Sequence, residues 1–164
     1  MTSKSELRKV VRKSLSVLSS QQIEADSLAV CQKIIALLIC MEPKRVLLYS
    51  PRRIPAEINI ASIEIWLDVQ NIEYDRVSSK KNAALPPGKP YDAIIVPVMG
   101  FDDECFRLGN GGGWYDRLLA AQPNTTTIGA AFDEGKVVDL PHEPHDIMLD
   151  YVMTPSRNYK IMSL

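Results

Sequence analysis

Three features are scarce in this 164-residue sequence: paired cysteines, an excess of one charge, and long apolar runs. Cys31, Cys40 and Cys105 form no CxxC pair and no metal-ligand spacing, which argues against a disulfide framework or a zinc site. The 19 basic and 20 acidic residues give a formal charge of −1, so neither nucleic acid nor membrane is expected as a partner. The longest apolar run, residues 34–41, is too short to span a bilayer, and no signal-peptide pattern opens the sequence. We therefore expect a cytoplasmic protein.

The rest of the sequence predicts one α/β domain over residues 1–164. Short apolar segments alternate with amphipathic ones, which indicates a mostly parallel sheet between two helical layers, a three-layer α/β/α fold. The predicted strands are residues 45–50, 93–98, 126–132 and 151–154. The predicted helices are residues 5–18, 59–70, 114–121 and a segment that begins after the N-cap Ser19, with Gln22 completing a capping box, and ends near residue 40.

Two further structural predictions concern the second helix and the middle of the chain. We expect residues 78–90, which are polar and rich in proline, to form a loop. Helical spacing predicts a core face on the second helix made of Ile23, Leu28, Val30, Ile34, Ile35 and Leu38.

Ligands of open α/β sheets bind beyond the carboxyl ends of the strands, so the functional residues are expected in the loops after residues 50, 98 and 132.

The most informative segment is residues 100–119, GFDDECFRLGNGGGWYDRLL, where a glycine-rich loop lies between a buried strand and a helix. Backbone N–H groups of such a loop can converge on an anion, and the Arg107 guanidinium can bind phosphate oxygens in a fork. Asp116, in the first helical turn, could hold Mg²⁺. The spacing fits neither GxxxxGK[ST] nor GxGxxG. A purely structural interpretation stays open, in which the glycines serve tight packing and Asp116 the start of the helix.

Other polar residues carry weaker signals. Glu57 follows the first strand and could bind a substrate amino group, or it could be a solvated loop charge. Residues 140–146, LPHEPHD, are not HExxH, and Pro144 prevents His142 and His145 from sharing a regular helix face, so zinc is not expected there. No Ser or Cys lies in a nucleophile motif, which argues against covalent catalysis.

Basic residues cluster on the first predicted helix. Lys4, Arg8 and Arg12, together with Lys9 and Lys13, fall on the faces away from its apolar residues. On charge pattern alone they indicate an exposed helix face.

Several segments together resemble the 5-formyltetrahydrofolate cyclo-ligase family. They are KSELRKVVR at the N-terminus, AEI at 56–58, VPVMGFDDECFRLGNGGGWYDRLL at 96–119, and LPHEPHD followed by Thr154. The similarity runs in order over nearly the whole chain, and the R-x-G-x-G-G-G-x-Y-D run is the most specific part.

The resemblance implies an ATP- and Mg²⁺-dependent ligase that converts 5-formyltetrahydrofolate to 5,10-methenyltetrahydrofolate with release of ADP and phosphate. In that reaction the formyl oxygen attacks the γ-phosphate, N10 captures the phosphorylated iminium, and phosphate leaves as the ring closes. Such chemistry needs positioning and charge neutralisation more than a side-chain nucleophile. The expected partner is this small molecule alone, and a monomer is expected.

The resemblance also implies roles for individual residues. Arg107 and Asp116 would be catalytic, with Asp116 as the Mg²⁺ ligand. The nucleotide phosphates would contact Lys4, Arg8, Arg107, Leu108, Gly109, Asn110, Gly111, Gly112 and Gly113. The folate would contact Tyr49, Glu57, Trp114 and Tyr115, and His145 and Asp146 would shape the rear of the site.

Residues 73–90 are shorter than the corresponding part of the family, and that part helps to close the folate pocket. Two alternatives therefore stay open: a relative that binds folate or nucleotide without turnover, and an ATP-dependent enzyme acting on another small molecule.

Overall fold

The computed structural model describes residues 2–77 and 89–161. The helices are α1 (Lys4–Ser16), α2 (Ser20–Met41), α3 (Ala61–Val69) and α4 (Trp114–Ala120), with a short 3-10 helix at Asp133–Gly135. The strands are β1 (Arg45–Tyr49), β2 (Glu73–Val77), β3 (Ala93–Pro97), β4 (Gly100–Phe101), β5 (Arg107–Leu108), β6 (Thr126–Ala130), β7 (Tyr151–Met153) and β8 (Asn158–Lys160). Most of the predicted loop at 78–90 lies outside the described residues. No helix in the described ranges combines the length and apolar composition needed to cross a membrane.

Six strands form the main sheet in the order β2-β1-β3-β6-β7-β8, and β4 pairs with β5 in a small hairpin. All pairs of the main sheet are parallel except β7 with β8. The four predicted strands and the mostly parallel sheet are therefore confirmed. The sequence analysis missed β2 and β8, because these edge strands carry polar, half-exposed sequences without an apolar run.

Two separate cores show that the sheet is covered on both faces. Val46 and Leu48 of β1 belong to one core and Leu47 to the other, as alternation along a strand requires. Helices α1, α2 and α3 contribute to the first core and α4 to the second. The predicted three-layer α/β/α architecture is confirmed.

The second helix corrects one core prediction. Val30, Ile34 and Leu38 are fully buried, but Leu28 is 51% exposed, so its assignment to the core was wrong. Two residues along a helix correspond to a rotation of about 200°, which turns Leu28 away from the face that Val30 buries. At the start of this helix, the Ser19 side chain accepts from the Gln22 N–H as predicted.

The order of the strands locates the crevice of the sheet. From β1 the chain crosses to β2 on one side, and from β3 it continues to β6 on the other. The carboxyl ends of β1 and β3 are thus neighbours whose connections leave in opposite directions, the point where doubly wound sheets bind ligands. The loops after β1 and β3 frame this crevice.

Candidate active site

A cleft of about 680 Å³ opens at the carboxyl ends of β1 and β3. We call it the main cleft. The predicted site residues that line it are Lys4, Arg8, Glu57, Arg107, Gly109, Asn110, Gly111, Gly112, Gly113, Trp114, Tyr115 and Asp116. They come from α1, from the loop after β1, and from the segment between β5 and α4. Residues distant in the sequence therefore meet where the topology predicts a ligand.

Residues 109–113, the glycine loop, connect β5 to α4 in a conformation that depends on glycine. Gly111 and Gly113 have φ values of 98° and 63°, in the left-handed region where a side chain is strained. Gly113 also caps the start of α4, where its carbonyl accepts from the Arg117 N–H. The loop thereby presents backbone on the cleft wall with few side chains in the way.

Two guanidinium groups flank the glycine loop. Arg8 donates from Nε to the Gly109 carbonyl at 2.7 Å. The Arg107 guanidinium packs against the same glycine so closely that a Cβ there would lie 2.4 Å from Nη1. Glycine at 109 is therefore required by the position of Arg107. A bare backbone between two guanidinium groups is a site that fits phosphate oxygens.

Arg107 is held by burial and by Asp116. Its side chain is 7% exposed, and Nη2 lies 3.4 Å from Oδ2 of Asp116. Burial lowers the pKa of Arg107 from its usual value, and the neighbouring Asp116 carboxylate opposes that shift. The other oxygen of Asp116 accepts from the Ile147 N–H at 3.4 Å. Asp116 thus links the loop to the segment after Pro144, and its role toward Mg²⁺ stays a prediction.

Lys4 lines the main cleft and pairs with two acidic side chains. Its Nζ lies 2.5 Å from Oδ2 of Asp146 and 3.6 Å from Oε2 of Glu143. Burial alone would raise the pKa of Asp146, but hydrogen bonds from Lys4 and from the Glu143 N–H outweigh it and lower that pKa. Glu143, His145 and Asp146 bring potential metal-ligating atoms within 4.8 Å of one another. The sequence argument based on Pro144 addressed a regular helix and did not anticipate this turn.

Glu57 and two aromatic rings form a further part of the main cleft wall. Burial raises the pKa of Glu57, while the Arg52 N–H, 2.8 Å from Oε2, acts in the other direction. Trp114 and Tyr115 pack edge to face at 4.9 Å, and the Arg107 guanidinium lies 5.2 Å from the centre of the Tyr115 ring. The Tyr115 hydroxyl is buried and has no hydrogen-bond partner among the described residues. These groups offer a carboxylate, a hydroxyl and flat apolar surface.

Some predicted site residues are not on the cleft wall. Tyr49 is 1% exposed and donates its hydroxyl to the Ile58 carbonyl at 2.7 Å, so it supports the loop after β1 from below. Leu108 is fully buried, because its side chain points into the core at the β4–β5 hairpin. His142 stacks on Phe106 at 3.7 Å instead of facing the main cleft.

Sequence reasoning also missed several cleft residues. Arg52 lines the cleft and contacts Glu57, yet the PRR segment in which it lies was not singled out. Pro97 and Met99 line it because the crevice opens beside the end of β3. Position after a buried strand was the available signal for all three residues.

Comparison with known proteins shows which family this chain matches. Residues 68–155 match the model of the 5-formyltetrahydrofolate cyclo-ligase family, which covers more than half of the chain. The chain belongs to this family. The match includes the glycine loop, Arg107 and Asp116, whereas Lys4, Arg8 and Glu57 lie outside it.

Individual cyclo-ligases agree with this assignment, and one solved structure shares the fold. The chain is 39% identical over 67 residues to 5-formyltetrahydrofolate cyclo-ligase of Mycolicibacterium smegmatis, covering 40% of this chain and 34% of the relative. It is 44% identical over 68 residues to the Escherichia coli protein of that name, covering 40% and 37%. The chain thus spans little more than a third of the length of these relatives. A 5,10-methenyltetrahydrofolate synthetase from Mycoplasma pneumoniae shares the fold, with a TM-score of 0.82, 23% identity, and coverage of 94% of this chain and 99% of that one.

Proposed function

We propose that this chain catalyses the ATP- and Mg²⁺-dependent cyclisation of 5-formyltetrahydrofolate to 5,10-methenyltetrahydrofolate, with release of ADP and phosphate. Family membership supports the reaction class. The observation that carries the proposal is the glycine loop between Arg8 and Arg107, in a cleft that Glu57 also lines. One cavity therefore offers both a phosphate site and a site for a polar heterocycle.

The phosphate end is supported by charge and by shape. Arg107 is held in place before any ligand binds, because burial and Asp116 fix its guanidinium. Arg8 is anchored by a single hydrogen bond to the loop and could turn toward a phosphate oxygen. Lys4 would leave Asp146 and Glu143 for the phosphates. Placing cations before the reaction lowers the cost of neutralising the charge that develops on a transferred phosphoryl group.

Mg²⁺ fits the oxygen donors of the main cleft. Asp116 and Asp146 both line it, and carboxylate oxygens are the protein ligands that Mg²⁺ prefers. Asp116 would hold the ion. Asp146 lies close by, because Asp116 accepts from the N–H of the next residue, Ile147. When bound, Mg²⁺ supplies neutralisation of phosphate charge.

The folate end would use the part of the cleft wall that Glu57 and the two aromatic rings form. Glu57 would accept hydrogen bonds from the amino and N–H groups of the pterin, and the rings of Trp114 and Tyr115 would pack against its flat face. The buried, unpartnered Tyr115 hydroxyl would complete the polar contacts. In this arrangement the formyl group would lie between the pterin and the phosphates.

Transfer would proceed directly between the substrates. The formyl oxygen attacks the γ-phosphorus and ADP leaves; N10 then attacks the activated formyl carbon, and phosphate departs as the ring closes. The side chains position reactants and stabilise charge. Cys31 and Cys105 are unsuited as nucleophiles, because burial raises the pKa of each thiol to about 11 and neither lines the main cleft. We further propose a monomer that acts in the cytoplasm on this small molecule, without nucleic acid or membrane.

An absorbance assay tests the proposal. Purified protein is mixed with 5-formyltetrahydrofolate, and the methenyl band is followed with and without Mg-ATP. A rise that requires Mg-ATP supports cyclisation. A flat trace from folded protein that still binds ATP would contradict it and would favour a relative with another substrate or with none.

A further inference from the structure

A second groove of about 720 Å³ lies beside the main cleft. It is formed by the last turns of α1, the start of α2 and the loop after β1. Three guanidinium groups face it, from Arg12, Arg52 and Arg53, and apolar side chains such as Leu15, Ile23 and Ile54 form its walls. No acidic side chain is among its lining residues in the described ranges. We call it the arginine groove.

The arginine groove continues the main cleft. Arg52 and Asn110 line both cavities. Nη2 of Arg12 lies 3.4 Å from the side-chain oxygen of Asn110. Along the loop after β1, Glu57 faces the main cleft while its neighbour Ala56 faces the groove. A ligand held at Glu57 can therefore extend past Ala56 without leaving the protein surface.

The composition of the groove selects a particular kind of ligand. Clustered guanidinium groups favour carboxylates, which they bind in a bidentate way. A purely inorganic anion would leave the apolar walls unused, and a purely apolar ligand would leave the cations unused. Ile54 is 91% exposed at this groove, so an aromatic ring lying there would bury apolar surface on both partners. The matching ligand has a flat apolar body that ends in carboxylates.

We propose that the arginine groove binds the aminobenzoylglutamate arm of the folate substrate, with the benzoyl ring against Ile54 and the glutamate carboxylates on Arg12 and Arg53. This inference rests on the proposed function, because it takes the pterin to be held at Glu57. The exposed residues Arg12 and Arg53 thereby become determinants of substrate affinity, and further glutamates on the tail would extend along the same basic surface.

Steady-state kinetics on charge-matched variants test the groove. The double variant Arg12→Gln/Arg53→Gln removes two guanidinium groups and spares Arg52, which contacts Glu57. The control Lys9→Gln/Lys13→Gln removes two exposed charges of the same helix that line neither cavity. Each protein is assayed with 5-formyltetrahydrofolate and with an analogue in which a methylamide replaces the glutamate. Melting temperatures confirm that all variants are folded.

The groove variant should raise the KM for the natural substrate about 10-fold with little change in kcat, as expected for lost ground-state contacts to a carboxylate. Its KM for the methylamide analogue and for ATP should match that of the wild type, as should all values for the control. An equal effect on both folates, no effect on either, or a rise confined to the KM for ATP would overturn the groove assignment while leaving the proposed function intact.

If the wild type turns over neither folate, a fragment of the substrate can still test the groove assignment separately from the cyclo-ligase proposal. Binding of p-aminobenzoylglutamate alone is then followed by ligand-observed NMR, which needs no turnover. Binding that the Arg12→Gln/Arg53→Gln variant loses and the lysine control keeps would support the groove, even though the cyclo-ligase proposal had failed. Absence of binding to the wild type would overturn the groove assignment as well.

Discussion

The main cleft and the arginine groove place their arginines in opposite ways. In the main cleft, Arg107 is 7% exposed and paired with Asp116 before any ligand arrives. In the arginine groove, Arg12 and Arg53 are exposed, and Arg12 donates to the amide oxygen of Asn110. Buried, paired cations suit a reaction whose charge must be met without rearrangement, whereas exposed ones suit affinity for a flexible anionic tail. Catalytic effects should therefore concentrate on the glycine loop and affinity effects on the groove.

The largest effect is expected for Arg107→Gln. Removing a buried guanidinium that faces the phosphates should lower kcat/KM by about 100-fold or more. Arg117→Gln is the matched control, since Arg117 lies nearby in the sequence, donates to the Gly112 carbonyl at 3.1 Å and is not among the described residues that line the main cleft. It should stay within about threefold of the wild type. A folded Arg107 variant with near-normal turnover would remove the distinction between the two cavities.

Position 109 tests whether the loop fixes Arg107. Gly109→Ala places a Cβ 2.4 Å from Nη1 of Arg107, so the guanidinium must move, and turnover should fall about 10- to 100-fold. Nothing lies within 4 Å of a Cβ at Gly112, so Gly112→Ala leaves Arg107 in place and should cost clearly less turnover than Gly109→Ala. Kinetics with varied ATP measure both. Equal losses in the two variants would show that glycine content, and not the packing of Arg107, is what matters.

A magnesium titration examines Asp116. Asp116→Asn should raise the Mg²⁺ concentration needed for half-maximal rate by about 10-fold, because a charged oxygen ligand becomes neutral. Asp103→Asn is a suitable control, since Asp103 is exposed outside the main cleft and pairs with Lys136. If the Asp116 variant kept the wild-type Mg²⁺ dependence, Asp116 would be only the partner of Arg107.

The smallest expected effect concerns stability at low pH. Because the folded-state pKa of Asp146 is lowered, its ion pair with Lys4 stabilises the fold above the ordinary Asp pKa of about 3.9. That contribution is lost as the pH falls through the folded-state value. The melting temperature of the wild type should therefore drop more steeply below about pH 4 than that of Asp146→Asn. Parallel curves would show that the pair adds no net stability.

The sequence predicted much of the main cleft because its signals are local. Buried strands appear as apolar runs, and the glycine loop, residues 109–113, follows Arg107 closely in the chain. Edge strand β2 was missed because its sequence EYDRV is polar and half exposed. Tyr49 was placed in the site by resemblance, yet it is 1% exposed and its hydroxyl donates to the Ile58 carbonyl within the core.

The arginine groove illustrates what a sequence does not reveal. Arg12 and Arg53 lie 41 positions apart in the sequence and become neighbours of one cavity only because α1 packs beside the loop after β1. Arg12 alone indicated an exposed helix face, and Arg53 carried no signal of its own. Tertiary contact, and not local pattern, creates this site.

The most direct test of the account measures two products in one sample. Purified protein is incubated with Mg-ATP and 5-formyltetrahydrofolate, and ADP is quantified together with the methenyl product over time. We expect one ADP for each methenyltetrahydrofolate and no ADP above background without the folate, because the formyl oxygen is the phosphoryl acceptor. ADP release that is independent of the folate, or methenyl formation without ADP, would contradict direct transfer in the main cleft.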